Sequence, residues 1–481
     1  MMSSTFFGFE ISKSGLFAAQ RALDIVSHNV ANANTPGYTR QRVDLAAAAP
    51  LPALGMFDTY GQGKVGSGVD ITGINQIRDI FLDAQYRGEN CVYGEWDAKA
   101  QVLNSLEAIF NEPSDTGIAT VMKQFFESLE ELSKTPESLS TRATVRERAV
   151  AVAQTIRTTY NKLVDKREEI NQNIITNIGE VNSYAKRIAD LNDQIYKFEL
   201  NGDKANDLRD SRNLLLDKLS DLVSITSYED SRGRLRVDIA GRALVDNTDY
   251  YEIEAKANPT DNMVNPVWKT TGVAVDLKSG RIKGLLDARD GNGDPAYKGV
   301  NYYINQWNTF ATTFTDTINE QHRAGYGLNS TTAVNLFKDL STPGLNAGDM
   351  DISDDIKDDL NKIAAASDPN GLPGDNTNIL KLIKLRGDTG VFTTGTFEDF
   401  TTSLISNLGV DAQQAERMTA NQSVLAKYVD NNRQSISGVS MDEEMSDMIK
   451  YQHSYNAAAR MITAIDEMID TIVNKMGVVG R

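Results

Sequence analysis

Residues 27–41 read SHNVANANTPGYTRQ, and the fold turns on how this stretch ends a helix. Upstream, Phe9, Ser12, Leu16, Ala19, Leu23, Val26 and Val30 recur at alternating spacings of about three and four, the heptad stripe of a helix made to pack against a partner. The stripe then runs into Asn32, Thr35, Pro36, Gly37 and Tyr38. Pro36 has no N–H and disfavours helix at Thr35, while Gly37 permits the turn that follows. Together with Asn29, these residues predict that a seam-bearing helix stops abruptly and the chain leaves it.

The other end of the chain carries a second stripe. Met441, Met445, Met448, Gln452, Tyr455, Ala459 and Ile462 keep one phase, then Ile465, Ile469, Ile472 and Met476 continue after a one-residue slip. Gly438 precedes this run and Gly477 follows it, as helix punctuation does. Both extremities are therefore predicted to be seam-bearing helices.

Between them the period stays helical for long distances. Val92, Trp96, Leu103, Leu106 and Phe110 form one stripe, ended by Glu112-Pro113. Ile118, Met122, Phe125, Leu129 and Leu132 form another, ended before Pro136. From Leu139 to Leu200 there is no proline and no glycine except Gly179, and the seam includes Val145, Ala149, Val152, Ile156, Leu163, Ile170, Ile174, Val181, Ile188, Ile195 and Phe198. An unbroken helix there would reach roughly 90 Å, which requires a rod and not a compact globule. The alternating stretches RGRLRVDIAGRALV and GVAVDLKSGRIKGLL predict β-hairpins.

The fold class expected is mainly α with a β-rich insert: terminal coiled-coil helices, a long antiparallel rod-like bundle and an inserted β or mixed domain. The segments expected are 1–35, an N-terminal core helix; 36–223, the first part of the helical rod; and 224–297, a β-rich insert. A returning helix at 298–324 and a small polar α/β part at 325–395 follow. The second part of the rod, 396–439, leads into a C-terminal core helix at 440–481.

Composition narrows the functions available. With 49 basic and 66 acidic residues, the net charge is −17, which argues against nucleic acid and anionic membrane as partners. The longest apolar run, Ala46 to Phe57, contains Pro50, Pro52 and Gly55 and falls short of the ~20 residues of a membrane span. The N-terminus lacks the basic-then-apolar pattern of a cleaved signal peptide. The single cysteine, Cys91, excludes an internal disulfide framework and a cysteine zinc cluster.

No catalytic, cofactor-binding or metal-binding constellation emerges. His28, His322 and His453 form no ligand pair. Gly61, Gly63 and Gly66 match a dinucleotide fingerprint formally, but a strand-like VDITGINQIRD follows instead of a helix. DGNGD at 290–294 imitates the start of a calcium loop, with Pro295 where glycine is needed and Asn301 where a bidentate glutamate is needed. The chain is not expected to be an enzyme and no cofactor is expected.

The terminal seams then carry the function. Burying Phe9, Leu16, Leu23, Val26 and Val30 is worth up to roughly 10 kcal/mol, at about 1.5–3 each before ordering costs. Helices of about 20 residues are marginal alone, so a partner must cover them. A two-helix pair of the termini still leaves flanks bare. The assembly surfaces predicted are Phe9, Leu16, Ala19, Leu23, Val26 and Val30 on the first helix. On the last they are Met441, Met445, Met448, Tyr455, Ala459, Ile462, Ile465, Ile469, Ile472 and Met476. The methionines at its start suit a seam that accepts slightly different neighbours.

HNVANANTPGYTRQ closely resembles the N-terminal signature of bacterial flagellar rod, hook and hook-associated proteins. GVDITGINQIRDIFLDAQYR (68–87), GDKANDLRDSRNLLLDKLSDLVSI (202–225), SGRIKGLLDARDG (279–291) and GVSMDEEMSDMIKYQHSYNAAARMITAIDEMIDTIVNKMG (438–477) resemble the first type of hook-associated protein, the hook–filament junction family. The resemblance covers nearly the whole chain. It implies a non-enzymatic structural ring subunit of the flagellum, exported without cleavage through the type III route. Its implied partners are further copies of itself, hook protein, the next hook-associated protein towards the filament, and an export chaperone at the C-terminal helix. A rod or hook subunit would share the Thr-Pro-Gly-Tyr signature, and an enzyme acting on wall or matrix would need an active site; both remain as alternatives at this stage.

Overall fold

The computed structural model describes residues 5–49, 66–110, 117–230, 233–293 and 297–475. The first helix, α1 (Thr5–Asn32), ends three residues before Thr35 and is followed by β1 (Gln41–Ala47) and β2 (Val69–Gln76). These two strands form an antiparallel hairpin that runs back along α1, where Val69 N–H donates to Ser14 Oγ at 3.2 Å. The span 36–223 is thus not helical throughout. Val43 is the buried apolar residue of the hairpin, too little apolar alternation to announce β1. Gly61 and Gly63 lie outside the described residues, as do Glu112 and Pro113.

The rod is built from α2 (Ile80–Phe110), α3 (Ile118–Lys134), α4 (Leu139–Glu199) and α5 (Asn206–Leu222). α4 runs unbroken for 61 residues, about 90 Å at 1.5 Å per residue. Val145, Val152, Ile156, Leu163, Ile170, Ile174, Val181, Ile188 and Ile195 are buried along its inner row. Phe198, expected to continue that row, is 53 % exposed, because the helix outruns its cover near the turn into α5.

The β part consists of β3 (Thr226–Glu229), β4 (Leu235–Ile239), β5 (Arg242–Asp246) and β6 (Asp249–Tyr250) in one sheet, with β7 (Ile253–Ala257) and β8 (Val264–Trp268) in another. β4 and β5 join through Ala240-Gly241, both at positive φ (48° and 80°), the geometry of a tight hairpin. Three asparagines of α4 dock these strands on its C-terminal half. Asn192 Nδ2 donates to the carbonyls of Leu235 (3.0 Å) and Asn247 (2.7 Å), Asn182 exchanges two bonds with Ile253, and Asn171 Oδ1 accepts from Val264 N–H. The strands share one continuous apolar core with the bundle.

GVAVDLKSGRIKGLL does not form a hairpin: it leads into α6 (Arg281–Asp290). Its buried residues Ile282, Leu285, Ala288 and Arg289 keep a helical period, and Gly284 lets α6 approach the backbone of Glu95 in α2. α7 (Val300–Arg323) follows, carrying Trp307, Phe310 and Phe314 into an aromatic cluster with Phe337, Phe392, Phe397 and Phe400. Asp294 and Pro295 of the calcium-loop imitation lie outside the described residues.

Segment 325–395 carries α8 (Asp354–Asp358), α9 (Thr377–Lys384), short 3₁₀ turns and isolated bridges, with no named strand among the described residues. It is also no extension of the β part, since it packs on the opposite half of α4. Arg142 donates to the carbonyls of Pro136 (2.8 Å) and Ile363 (2.7 Å). His322 Nε2 accepts from Ala364 N–H at 2.9 Å, while Nδ1 faces Val334 O at 2.7 Å. α10 (Phe397–Ser437) then lies antiparallel along α2, and α11 (Met441–Asp470) follows, running into a π turn at 471–475.

Candidate assembly interface

α1 and α11 pair antiparallel. Gly8 faces Ile465 and Asn29 Nδ2 donates to Glu444 Oε2 at 3.0 Å, so the start of one helix meets the end of the other. On α1, Ala19 and Val26 are buried and Phe9, Leu16, Leu23 and Val30 are half-buried. Ala18 and Ala22, also buried, allow the close approach. On α11, Ile465 is buried and Met448, Tyr455, Ala459, Ile462 and Ile469 are half-buried. Met441, Met445 and Ile472 remain exposed, and Met476 lies outside the described residues. The expected seam of α11 therefore divides: one part covers α1 and another faces outward.

The helix stop works as a polar joint. The backbone of Tyr38 donates to Thr35 O, Gly37 adopts φ +82° against Leu214 of α5, and Asn32 Nδ2 donates to His28 O at 3.0 Å. Asn29, only 1 % exposed, meets both backbone groups of Gln41: its Nδ2 donates to Gln41 O (2.9 Å) and its Oδ1 accepts from Gln41 N–H (3.0 Å). The Tyr38 hydroxyl donates to Asn29 Oδ1 at 2.8 Å and lies 2.9 Å from His28 Nδ1. Burial, reinforced by the charges of Asp207, Asp210 and Glu444, pushes the Tyr38 phenol well above its ordinary pKa.

Charged groups complete the joint. Glu444, 1 % exposed, takes Arg40 Nε at 2.6 Å, and Arg40 also reaches Glu443 at 2.5 Å. Arg40 N–H donates to Ser437 O, binding the entry of the rod to its exit. Thr39 donates from both N–H (2.9 Å) and Oγ1 (2.6 Å) to Asp210 of α5. Burial pushes the Asp210 carboxyl up to about 6 despite these bonds and the nearby Arg78. Gln41 Nε2 donates to Asp207 at 2.8 Å, and Asn206 donates to Gln41 Oε1 at 3.2 Å.

The signature residues are thus brought together as a connector among α1, α11, β1 and α5. Thr35 and Pro36 sit exposed at its rim. Sequence reasoning missed Glu444, Asp210, Asp207 and Arg78. Glu444 stands in the acidic run Met441-Asp442-Glu443-Glu444 and reads as solvated; only the position 444, four before Met448 on the same helical face, hinted at burial. His453 is exposed on α11. Among the described residues no group of three or more His, Cys, Asp or Glu could hold a metal ion, and no helix is long and apolar enough to cross a membrane.

Residues 9–39 match the family described as "Flagella basal body rod protein", and residues 431–476 match "Flagellar basal body rod FlgEFG protein C-terminal". Those two segments are α1 with its stop and the end of α10 with α11, which places the chain in the class of bacterial flagellar axial proteins. Residues 103–337 match "Flagellar hook-associated protein FlgK helical domain". The chain is 36 % identical to flagellar hook-associated protein 1 of Bacillus subtilis (strain 168), with 100 % of both chains covered. To the protein of that name in Escherichia coli (strain K12) it is 24 % identical, covering 96 % of this chain and 98 % of that one. The chain belongs to the flagellar hook-associated protein 1 family. The solved structure of the flagellar hook junction protein FlgK from Burkholderia pseudomallei shares the fold, with TM-score 0.64 and 15 % identity, covering 74 % of this chain and 100 % of that one.

Proposed function

We propose that this chain is the adaptor between hook and filament in the bacterial flagellum, joined to its neighbours through the α1–α11 pair. The observation that carries the reading is the bareness of that pair. Among the described residues α11 packs chiefly on α1, and Phe17, Met445, Ile449, Met461 and Met468 each stay about half exposed around it. Apolar side chains in such density on an otherwise charged helix mark a surface that a partner covers. The polar joint fixes the pair to a rigid rod, so that copies can present it at a constant angle.

In this reading the partners are further copies, hook protein on one side and the next hook-associated protein on the other. Before assembly, an export chaperone covers the outward face of α11. The role is mechanical, and no reaction is assigned to it. The match across 103–337 and the full-length relatives favour a junction subunit over a rod or hook subunit.

Deletion from Ser440 onward tests the reading. Cells making only the truncated chain are expected to export flagellin into the medium and to carry hooks without filaments. Filaments still attached to hooks would refute the role given to α11.

A further inference from the structure

The outward apolar residues of α11 do not form one stripe. The row that faces α1 runs through Glu444, Met448, Tyr455, Ile462, Ile465 and Ile469, all buried or half-buried. At about 100° per residue, Met441, Met445 and Ile449 lie roughly a quarter-turn to one side of that row. Met461, Met468 and Ile472 lie roughly a quarter-turn to the other side. All six are between 46 % and 56 % exposed. Between the two groups, the outer face is polar or small: Gln452, His453, Asn456, Ala457 and Arg460.

The molecule therefore carries two separate apolar patches, on opposite flanks of the terminal pair and displaced along it. From Met445 to Met468 the displacement is about 35 Å at 1.5 Å per residue. An isologous contact sets one patch against itself and leaves the other bare. Two different patches, each used once, are what a heterologous head-to-tail contact requires. Heterologous contact is also the kind that a ring or helical tube of identical axial subunits uses.

Resting on the proposal that the α1–α11 pair joins copies, we infer that the Met441–Met445–Ile449 patch of one copy covers the Met461–Met468–Ile472 patch of the next. The contact buries methionine against methionine and isoleucine, and the unbranched methionine chains fill an irregular gap with small rotamer changes. Because the patches sit at different heights, the two copies are staggered along the α11 direction.

Cysteine cross-linking in purified hook–filament particles tests the pairing. Cys91 is 3 % exposed and is replaced by Ala in every variant. The double variant Met445→Cys/Met468→Cys, treated with a short bismaleimide, is expected to give a ladder of multimers. Each single variant is expected to stay monomeric, since like positions lie far apart. The pair Met441→Cys/Met461→Cys, expected to behave in the same way, serves if the first variant fails to assemble. Dimers from a single variant would overturn the inference by showing a self-on-self contact. Particles that assemble yet give no ladder with either pair would overturn it too, while leaving the pair's role in assembly standing. Particles that assemble normally after deletion from Ser440 onward would instead remove the proposed function itself.

Discussion

Replacing Asn29 by Ala tests whether the helix stop is a structural joint. The side chain makes four hydrogen bonds: two with the backbone of Gln41, one to Glu444 and one from Tyr38. Tyr38 retains His28, and Glu444 retains Arg40. The N–H and C=O of Gln41, a residue 6 % exposed, lose this partner. Each orphaned backbone group costs about 1–3 kcal/mol, and water entering the small void offsets part of it. The net expectation is about 3 kcal/mol, or roughly a hundred-fold in the local opening equilibrium. Hydrogen exchange on the purified chain reads this directly: protection falls around 29–43 and at the start of α11, while the middle of α4 is unchanged.

Asn29→Asp sharpens the test, because it keeps the shape and reverses the chemistry. A carboxylate oxygen replaces the Nδ2 that now lies 3.0 Å from Glu444 Oε2, and two buried like charges face each other. Asn29→Asp should be at least as damaging as Asn29→Ala at neutral pH, and should recover on acidification as the pair takes up a proton. Adding Glu444→Gln restores a donor between the two positions and should recover part of the loss, the Gln41 carbonyl still facing a carboxylate oxygen. A loss of protection below about five-fold for Asn29→Ala, or an Asn29→Asp variant milder than Asn29→Ala at neutral pH, would refute the joint.

Two titrations pull in opposite directions in this molecule. Burial lowers the His322 imidazole to about 4, below its ordinary 6.5, so its contribution is complete above pH 6.5 and drains away as pH falls towards 4. The loss is of the order of 3 kcal/mol and should appear as acid-sensitive exchange in 325–395, with a flatter pH slope in His322→Gln. Asp210, pushed up to about 6, does the reverse: its contribution is complete below about 3.8 and is lost as pH rises through 6. The joint around Thr39 should therefore tighten between pH 7 and 5 while 325–395 loosens, as read by exchange at both places in one sample. Gly284→Ala, whose new Cβ meets the Glu95 carbonyl, should cost about 1–3 kcal/mol through overpacking of α6 on α2, visible as a lower urea midpoint for the rod transition.

The sequence by itself determined the long helices of the molecule, because burial in a helix leaves a repeat that survives without knowledge of the partner. The inner row of α4 from Val145 to Ile195, the two terminal seams and the stop at Pro36-Gly37 were all legible in this way. Tight turns were legible where glycine allowed them, as at Ala240-Gly241. Short apolar runs were not: GRIKGLL alternates well enough to pass for a strand, and only contact with α2 makes it α6. β1 is paired on one side and capped by Asn29 on the other, so its stability comes from partners and leaves little alternation.

The joint was half legible. Its signature residues announced themselves as a break, but their partners lie far away in the chain, Glu444 at a separation of 415 residues and Asp210 at 171. A local pattern reports which face of an element is apolar; it carries no record of which charge another element brings to that face. Tertiary structure alone decided that Glu444 is buried while Met445 beside it is bare. The reason is that Arg40 and Asn29 supply the charge and hydrogen bonds that make a carboxylate tolerable there, and nothing among the described residues covers the methionine.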